Sequence, residues 1–284
     1  MSVPARPCLF ASDLHGRPDR YERLLAAVRR ERPPALFLGG DLLPHGLAGA
    51  AAFVSDVLLP AFLDLRDGLG GQAPRVFLIP GNDDPRLALE PLLDGERAGA
   101  WEVLVERRVA WEGRPVFGYP YVPPTPFLLK DWERYDVSRF VDPGAVPPGE
   151  GRRTVAADPR EVELATIARD LERLAGDEDL TEAVFLFHSP PYRTALDRAA
   201  LDGRSVDHAP LDVHVGSVAI RRFLEARQPL LSLCGHVHES ARLTGAWRDR
   251  IGRTWCLSAA HDGEQLALVR FTPEDPGAAT RDLL

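Results

Sequence analysis

Five short apolar runs punctuate the chain: Cys8 to Ala11, Ala35 to Leu38, Val76 to Ile79, Ala183 to Phe187 and Leu230 to Cys234. Each is four or five residues long and stops at a polar or glycine-containing turn, the pattern of a strand buried on both faces. Between them lie segments of helical period. Tyr21, Leu24, Leu25 and Val28 form one i, i+3, i+4, i+7 stripe, and Leu164, Ile167, Leu171 and Leu174 form a second. Asp158 is placed to cap that second helix, with Pro159 in its first turn and Glu161 completing a capping box. Buried strands alternating with helices predict an α/β layered domain. Further strand-like pieces, Val103 to Val105, Val109 to Trp111, Val116 to Gly118, Arg253 to Ser258 and Gln265 to Phe271, add a second sheet. The expected architecture is a four-layer α-β-β-α sandwich, with two packed mixed sheets and helices outside. No linker divides residues 1–284, which read as one domain. Residues 122–158, rich in Pro, Arg and Asp and without periodicity, are longer than an ordinary loop and predict a lid or flap.

The turns that close the core runs share one chemistry. They are Ser12-Asp13-Leu14-His15-Gly16, Gly39-Gly40-Asp41, Gly81-Asn82-Asp83-Asp84, His188, and Gly235-His236-Val237-His238. In open α/β sheets ligands bind at the carboxyl ends of the strands, so five such turns predict one composite site. The candidate metal ligands are Asp13, His15, Asp41, Asn82, His188, His236 and His238. Turn chemistry alone accounts for Asp, Asn and Gly at these places, but not for the three histidines His188, His236 and His238. Carboxylate and imidazole together suit Mn, Fe, Co, Ni or Zn rather than Mg or Ca. Seven ligands exceed one tetrahedral site and fit two ions, the arrangement suited to in-line displacement at phosphorus.

Composition narrows the alternatives. A formal charge of -8 and a pI near 5.5 argue against a broad nucleic-acid or anionic-membrane surface. Cys8, Cys234 and Cys256 are odd in number and sit in apolar stretches, so neither a disulfide framework nor a zinc knuckle is expected. No signal-peptide pattern and no membrane-length apolar run is present, which predicts a cytoplasmic protein. An oligomer remains open. Lys130 is the single lysine, a bias read as genome composition or thermal adaptation.

The ordered set Asp-x-His, Gly-Asp, Gly-Asn-x-Asp, His and Gly-His-x-His resembles the calcineurin-like metallophosphoesterases over roughly residues 8 to 240. More locally, His188-Ser189-Pro190-Pro191-Tyr192, His214-Val215-Gly216-Ser217 and Cys234 to Ser240 are similar to the prokaryotic and archaeal Icc-like branch. The resemblance implies that Asp13, His15 and His238 bind one ion, that Asn82, His188 and His236 bind the other, and that Asp41 bridges them. It further implies two divalent transition-metal ions, manganese favoured, and a hydroxide between them as nucleophile toward a small-molecule phosphate ester.

One position departs from the family pattern. Where it has His after Gly-Asn, this chain has Asp83, ordinarily ionised near pH 7. Asp41, Asn82, Asp83 and His214 are the candidate catalytic residues, with His214 or His208 able to replace the missing imidazole. The loss favours phosphodiesters over monoesters. A monoesterase acting on a protein or nucleotide, and a catalytically silent scaffold, are the alternatives. Arg193 is a candidate contact for a substrate phosphate. Tyr119, Tyr121 and Tyr192 read as packing or pocket residues, Asp84 as a loop-orienting group, and His45 and His261 as surface or interior histidines.

Overall fold

A computed structural model describes residues 6–46 and 49–284. In chain order the first half runs β1 (Cys8–Ala11), α1 (Pro18–Glu31), β2 (Ala35–Gly39), α2 (Ala50–Phe53), α3 (Leu59–Leu69), β3 (Arg75–Ile79), α4 (Leu89–Arg97), β4 (Glu102–Val103), β5 (Arg107–Trp111) and β6 (Arg114–Tyr119). The second half runs α5 (Pro159–Leu164), α6 (Ile167–Ala175), β7 (Val184–Phe187), β8 (Ser205–Val206), β9 (Ala209–Pro210), α7 (Val218–Arg227) and β10 (Leu231–Cys234). It closes with α8 (Ser240–Thr244), β11 (Arg248–Ile251), β12 (Thr254–Ser258), β13 (Ala267–Phe271) and β14 (Thr280–Leu283).

Two six-stranded mixed sheets result, ordered β14-β13-β1-β2-β3-β4 and β11-β12-β10-β7-β6-β5, with β8 and β9 forming a separate small hairpin. Four neighbouring strands of each are parallel, as when Leu9 pairs with Leu36 and Leu231 with Val184. Alternation along the strands builds the layers. Cys8, Phe10, Phe37 and Phe77 face Val184, Leu186, Leu231 and Leu233 between the sheets. Leu9, Ala11, Leu36 and Leu38 point the other way, onto Leu24, Val28 and Phe62 of α1 and α3. Phe117, Phe185 and Phe187 cover Ile167, Leu171, Ile220 and Leu224 of α6 and α7. This is the expected α-β-β-α sandwich. Strands buried on both faces carry no polar alternation, which is why the core runs are apolar apart from the fully buried Ser232 of β10.

The second predicted helix is two helices. Asp158 caps α5 by accepting from Arg160 N–H, but the helix stops at Leu164, and Thr166 caps α6 by accepting from Arg169 N–H. Leu164 is therefore exposed rather than part of the buried stripe. The Thr166 hydroxyl competes with the helical ladder for backbone groups, so the stripe breaks there.

Residues 122–158 hold little regular structure, yet Trp132, Lys130, Asp131, Glu133 and Arg134 within them are buried. The single lysine pairs with Glu133, both side chains being fully buried, and its ammonium also donates to the Thr125 carbonyl at 2.8 Å. Glu133 accepts from Thr125 N–H at 2.8 Å. Removing one partner of a buried pair strands the other charge, so Lys130→Met is expected to lose about 3–5 kcal/mol of stability in urea unfolding. The double change Lys130→Met with Glu133→Leu should recover most of that loss. No helix among the described residues is long and apolar enough to cross a membrane.

Candidate metal centre

Because β1, β2 and β3 are parallel in one sheet and β7 and β10 in the other, the turns after them meet at one edge of the sandwich. Asp13, His15, Asp41 and His236 all have positive φ, from 50° to 75°. Non-glycine residues in this region are strained by about 1–3 kcal/mol each, and such strain persists only when neighbouring bonds enforce it. Here Asp13 N–H donates to Gly40 O at 2.9 Å, His15 N–H to Asp41 O at 2.8 Å and Gly16 N–H to Leu42 O at 2.9 Å, lacing the first two loops together. The third loop is tied in by Asp84, whose buried carboxylate accepts from Gly81 N–H (2.8 Å), Leu42 N–H (3.0 Å) and Leu43 N–H (2.8 Å). Glycine permits the closest approaches. A Cβ on Gly81 would lie 2.2 Å from Asp41 Oδ1, and one on Gly235 would lie 2.5 Å from Asp13 Oδ2.

One ligand atom from each of Asp13, His15, Asp41 and His238 lies within 4.8 Å of the others. Across Asp41, His188 Nε2 is 3.3 Å from Asp41 Oδ2 and 3.1 Å from Asn82 Oδ1. The His236 ring packs edge-on against His188, with centroids 5.1 Å apart. All seven candidates are thus brought to one place, with Asp41 between the two groups. The donor set fits divalent transition ions, since it mixes buried carboxylates with imidazoles. His188 is already anchored as a ligand would be: its Nδ1 meets the Gly39 carbonyl at 2.7 Å, leaving Nε2 directed at the carboxylates.

Without ions the cluster balances its own charge. Burial pushes Asp13 and Asp41 up, but the imidazolium of His238 beside the first and of His188 beside the second holds both carboxyls below the usual range. Burial pushes His188 down, yet the charge and hydrogen bond of Asp41 outweigh it and raise the imidazole to about 10. Burial likewise opposes His238, which Asp13 raises to about 9. His15 and His236 go the other way, burial lowering them to about 4 and about 3. Two folded-state values therefore exceed the ordinary 6.5 of histidine. Their contribution to the ion-free fold is complete below that pH and is lost as pH rises through about 9 to 10. The ion-free protein should accordingly lose urea stability between pH 7 and 10. Ion binding at neutral pH should release protons, because both rings must be neutral to act as ligands. Calorimetry in two buffers of different ionisation enthalpy counts them.

Asp83 sits at the edge of the cluster. Its N–H donates to Asp41 Oδ1 at 2.8 Å, and its carboxylate lies 3.3 Å from His45 Nδ1 and 4.0 Å from His15 Nδ1. Burial, then the charge of Asp41, raises its carboxyl above the ordinary value. The His45 ring stacks on His15 with centroids 4.4 Å apart and 20° between planes. Nothing in the sequence sets His45 apart from an ordinary histidine except its nearness to the Gly40-Asp41 turn. His214 Nδ1 meets buried Asp197 Oδ1 at 2.8 Å, and its ring faces Tyr192 edge-on. His208 is exposed on the turn between β8 and β9, and His261 meets Gln265 at 3.2 Å. Arg193 stacks over Tyr192, 5.2 Å from guanidinium carbon to ring centroid. Tyr119 and Tyr121 are buried in packing, where the Tyr119 hydroxyl donates to Asp170.

A four-layer sandwich with carboxylates and imidazoles gathered at the carboxyl ends of its strands has the architecture of the metal-dependent phosphoesterases. The chain belongs to the calcineurin-like phosphoesterase family, whose model matches residues 6–240, the span that holds every candidate ligand. Membership of that family makes it a hydrolase. Among solved structures, TT1561 of Thermus thermophilus is similar at 17% identity, covering 98% of this chain and 99% of that one with a TM-score of 0.60. A second crystal structure covers 98% of each chain at 15% identity and a TM-score of 0.62. At these identities the likeness is one of fold. No curated protein matches the sequence.

Proposed function

We propose that this protein is a dinuclear metal-dependent phosphodiesterase acting on a small phosphate ester. The observation that carries the reading is the gathering of Asp13, His15, Asp41 and His238 within 4.8 Å, with His188 and Asn82 directly across Asp41. Asp13, His15 and His238 would hold one ion, Asn82, His188 and His236 the other, and Asp41 would be shared. When bound, such ions supply an activated water for in-line attack on phosphorus and offset charge on the phosphoryl oxygens. Manganese is the first choice, with Fe, Zn, Co and Ni compatible with the same donors. The chain's own contribution is to hold the donors in strained backbone positions, so that little reorganisation is needed when ions and substrate enter.

Asp83 supports the diester preference. Its half-buried carboxylate borders the cluster, and a monoester near pH 7 brings more negative charge toward it than a diester does. At effective dielectrics typical of protein surfaces, one extra charge contact of this kind is worth on the order of 1–4 kcal/mol. The cytoplasm fits three buried free thiols, which a reducing compartment preserves. A test is hydrolysis of bis(p-nitrophenyl) phosphate and p-nitrophenyl phosphate by manganese-loaded protein. The diester should show the higher kcat/KM by about tenfold or more, the equivalent of about 1.4 kcal/mol. A faster monoester would assign a phosphomonoesterase instead. Two bound ions with neither ester cleaved would assign a silent scaffold.

A further inference from the structure

We propose that Asp83 is a positioning residue for His15, its Oδ2 accepting the Nδ1 proton of the imidazole whose Nε2 faces the metal centre. This rests on the dinuclear reading above and assigns Asp83 a task within it. His15 Nε2 lies 3.2 Å from His238 Nε2 and the ring belongs to the four-residue donor cluster, so Nε2 is the ion-facing atom. Its Nδ1 is buried and has no hydrogen-bond partner among the described residues. A buried donor left in that state costs about 1–3 kcal/mol. A metal-bound imidazole ordinarily passes its second N–H to a carboxylate, carbonyl or water, as His188 does with Gly39 O.

For His15 the acceptor in reach is Asp83 Oδ2, at 4.0 Å. A closing movement of about 1 Å brings the pair into hydrogen-bond range. The rest of Asp83 is tethered: its N–H is held by Asp41 Oδ1, and its Oδ1 accepts from Asn82 Nδ2 at 3.2 Å. Oδ2 is thus left to choose between His15 and His45, and the stacked His45 ring covers His15 from the exposed side. A third ion held by His15, His45 and Asp83 is the competing reading, since their ligand atoms also lie within 4.8 Å of one another. That would require the His15 ring to give up its proton and bridge two cations. The positioning role uses the proton the neutral ring already carries.

The experiment titrates the full chain with manganese by calorimetry and follows the His15 ring nitrogens by NMR in zinc-loaded protein. Asp83→Ala keeps the backbone bond to Asp41. It should weaken the ion on His15 roughly 10- to 100-fold, the usual effect of losing such a partner, and weaken less the ion on Asn82, which loses only the bond from its amide. The protected Nδ1 proton of His15 should disappear in the same variant. Asp83→Asn keeps one acceptor oxygen, and turning it to His15 sets its amide NH2 against Asn82 Nδ2, so it should restore the protected Nδ1 proton and only part of the affinity. His45→Ala frees Oδ2 and should leave the affinity equal or tighter. Unchanged affinities in Asp83→Ala would overturn the proposal. So would three bound ions in the wild type, with one lost equally in Asp83→Ala and His45→Ala. Fewer than two ions in the wild type would sink the dinuclear reading on its own, and the response of the remaining ion to Asp83→Ala would still decide the role of Asp83.

Discussion

Asp41→Asn is expected to bind one ion fewer than the unaltered chain, and to hydrolyse the diester about 10³-fold more slowly, a loss of about 4 kcal/mol of transition-state stabilisation. The substitution preserves size and shape, so the effect isolates charge. Asp41 is almost wholly buried, its Oδ1 accepting from Asp83 N–H and its Oδ2 facing His188 Nε2. An Asn amide can present its oxygen to only one of those neighbours. The other then meets an NH2 group, and neither arrangement supplies the negative charge that two neighbouring cations require. His188 loses the partner that raises it, so proton release on loading should shrink as well. Elemental analysis gives the ion count, and circular dichroism shows whether the fold is retained. Two ions with full activity in Asp41→Asn would remove Asp41 from the centre of the mechanism.

Gly81→Ala should be nearly as damaging, although glycine offers no ligand. The added Cβ would lie 2.2 Å from Asp41 Oδ1, 2.4 Å from Asp41 N and 2.7 Å from His188 Cε1. None of these is the free end of a flexible side chain. The methyl can enter only by displacing two candidate ligands, and overpacking of this kind costs about 1–3 kcal/mol in addition to the lost site. The expected result is weaker ion binding, with a lower urea midpoint in the ion-free state. Gly68→Ala is the control. Gly68 lies on the exposed side of α3 with open space around its Cβ position, so alanine there should add about 0.5–1 kcal/mol of stability and leave hydrolysis unchanged.

Much of the architecture was legible in local pattern. Strands such as Phe10 and Leu36 with their neighbours are apolar on both faces because each is sandwiched, and that signal is confined to the strand itself. The α1 stripe was equally plain, with Tyr21, Leu24, Leu25 and Val28 all buried. Less legible were segments whose pairing is set elsewhere. Arg248–Ile251 and Thr280–Leu283 are polar edge strands that owe their conformation to β12 and β13. Helices α2 and α3 join through a π-helical turn at Val54–Leu58, and no short-range periodicity announces that register change. The break before Thr166 shows the reverse case, in which a local cap overrode a periodic stripe.

For the site, the sequence by itself determined the chemistry: which side chains can hold a divalent ion, and that each lies just after a buried strand. Those properties reside in single residues and in turns of a few residues. Only the tertiary structure decided which of eight histidines meet. It set His188 and Asn82 across Asp41, joined His214 to Asp197, and laid His45 over His15 beside Asp83. The physical reason is that these contacts join residues tens to hundreds of positions apart, through loops whose conformation depends on bonds they make to one another.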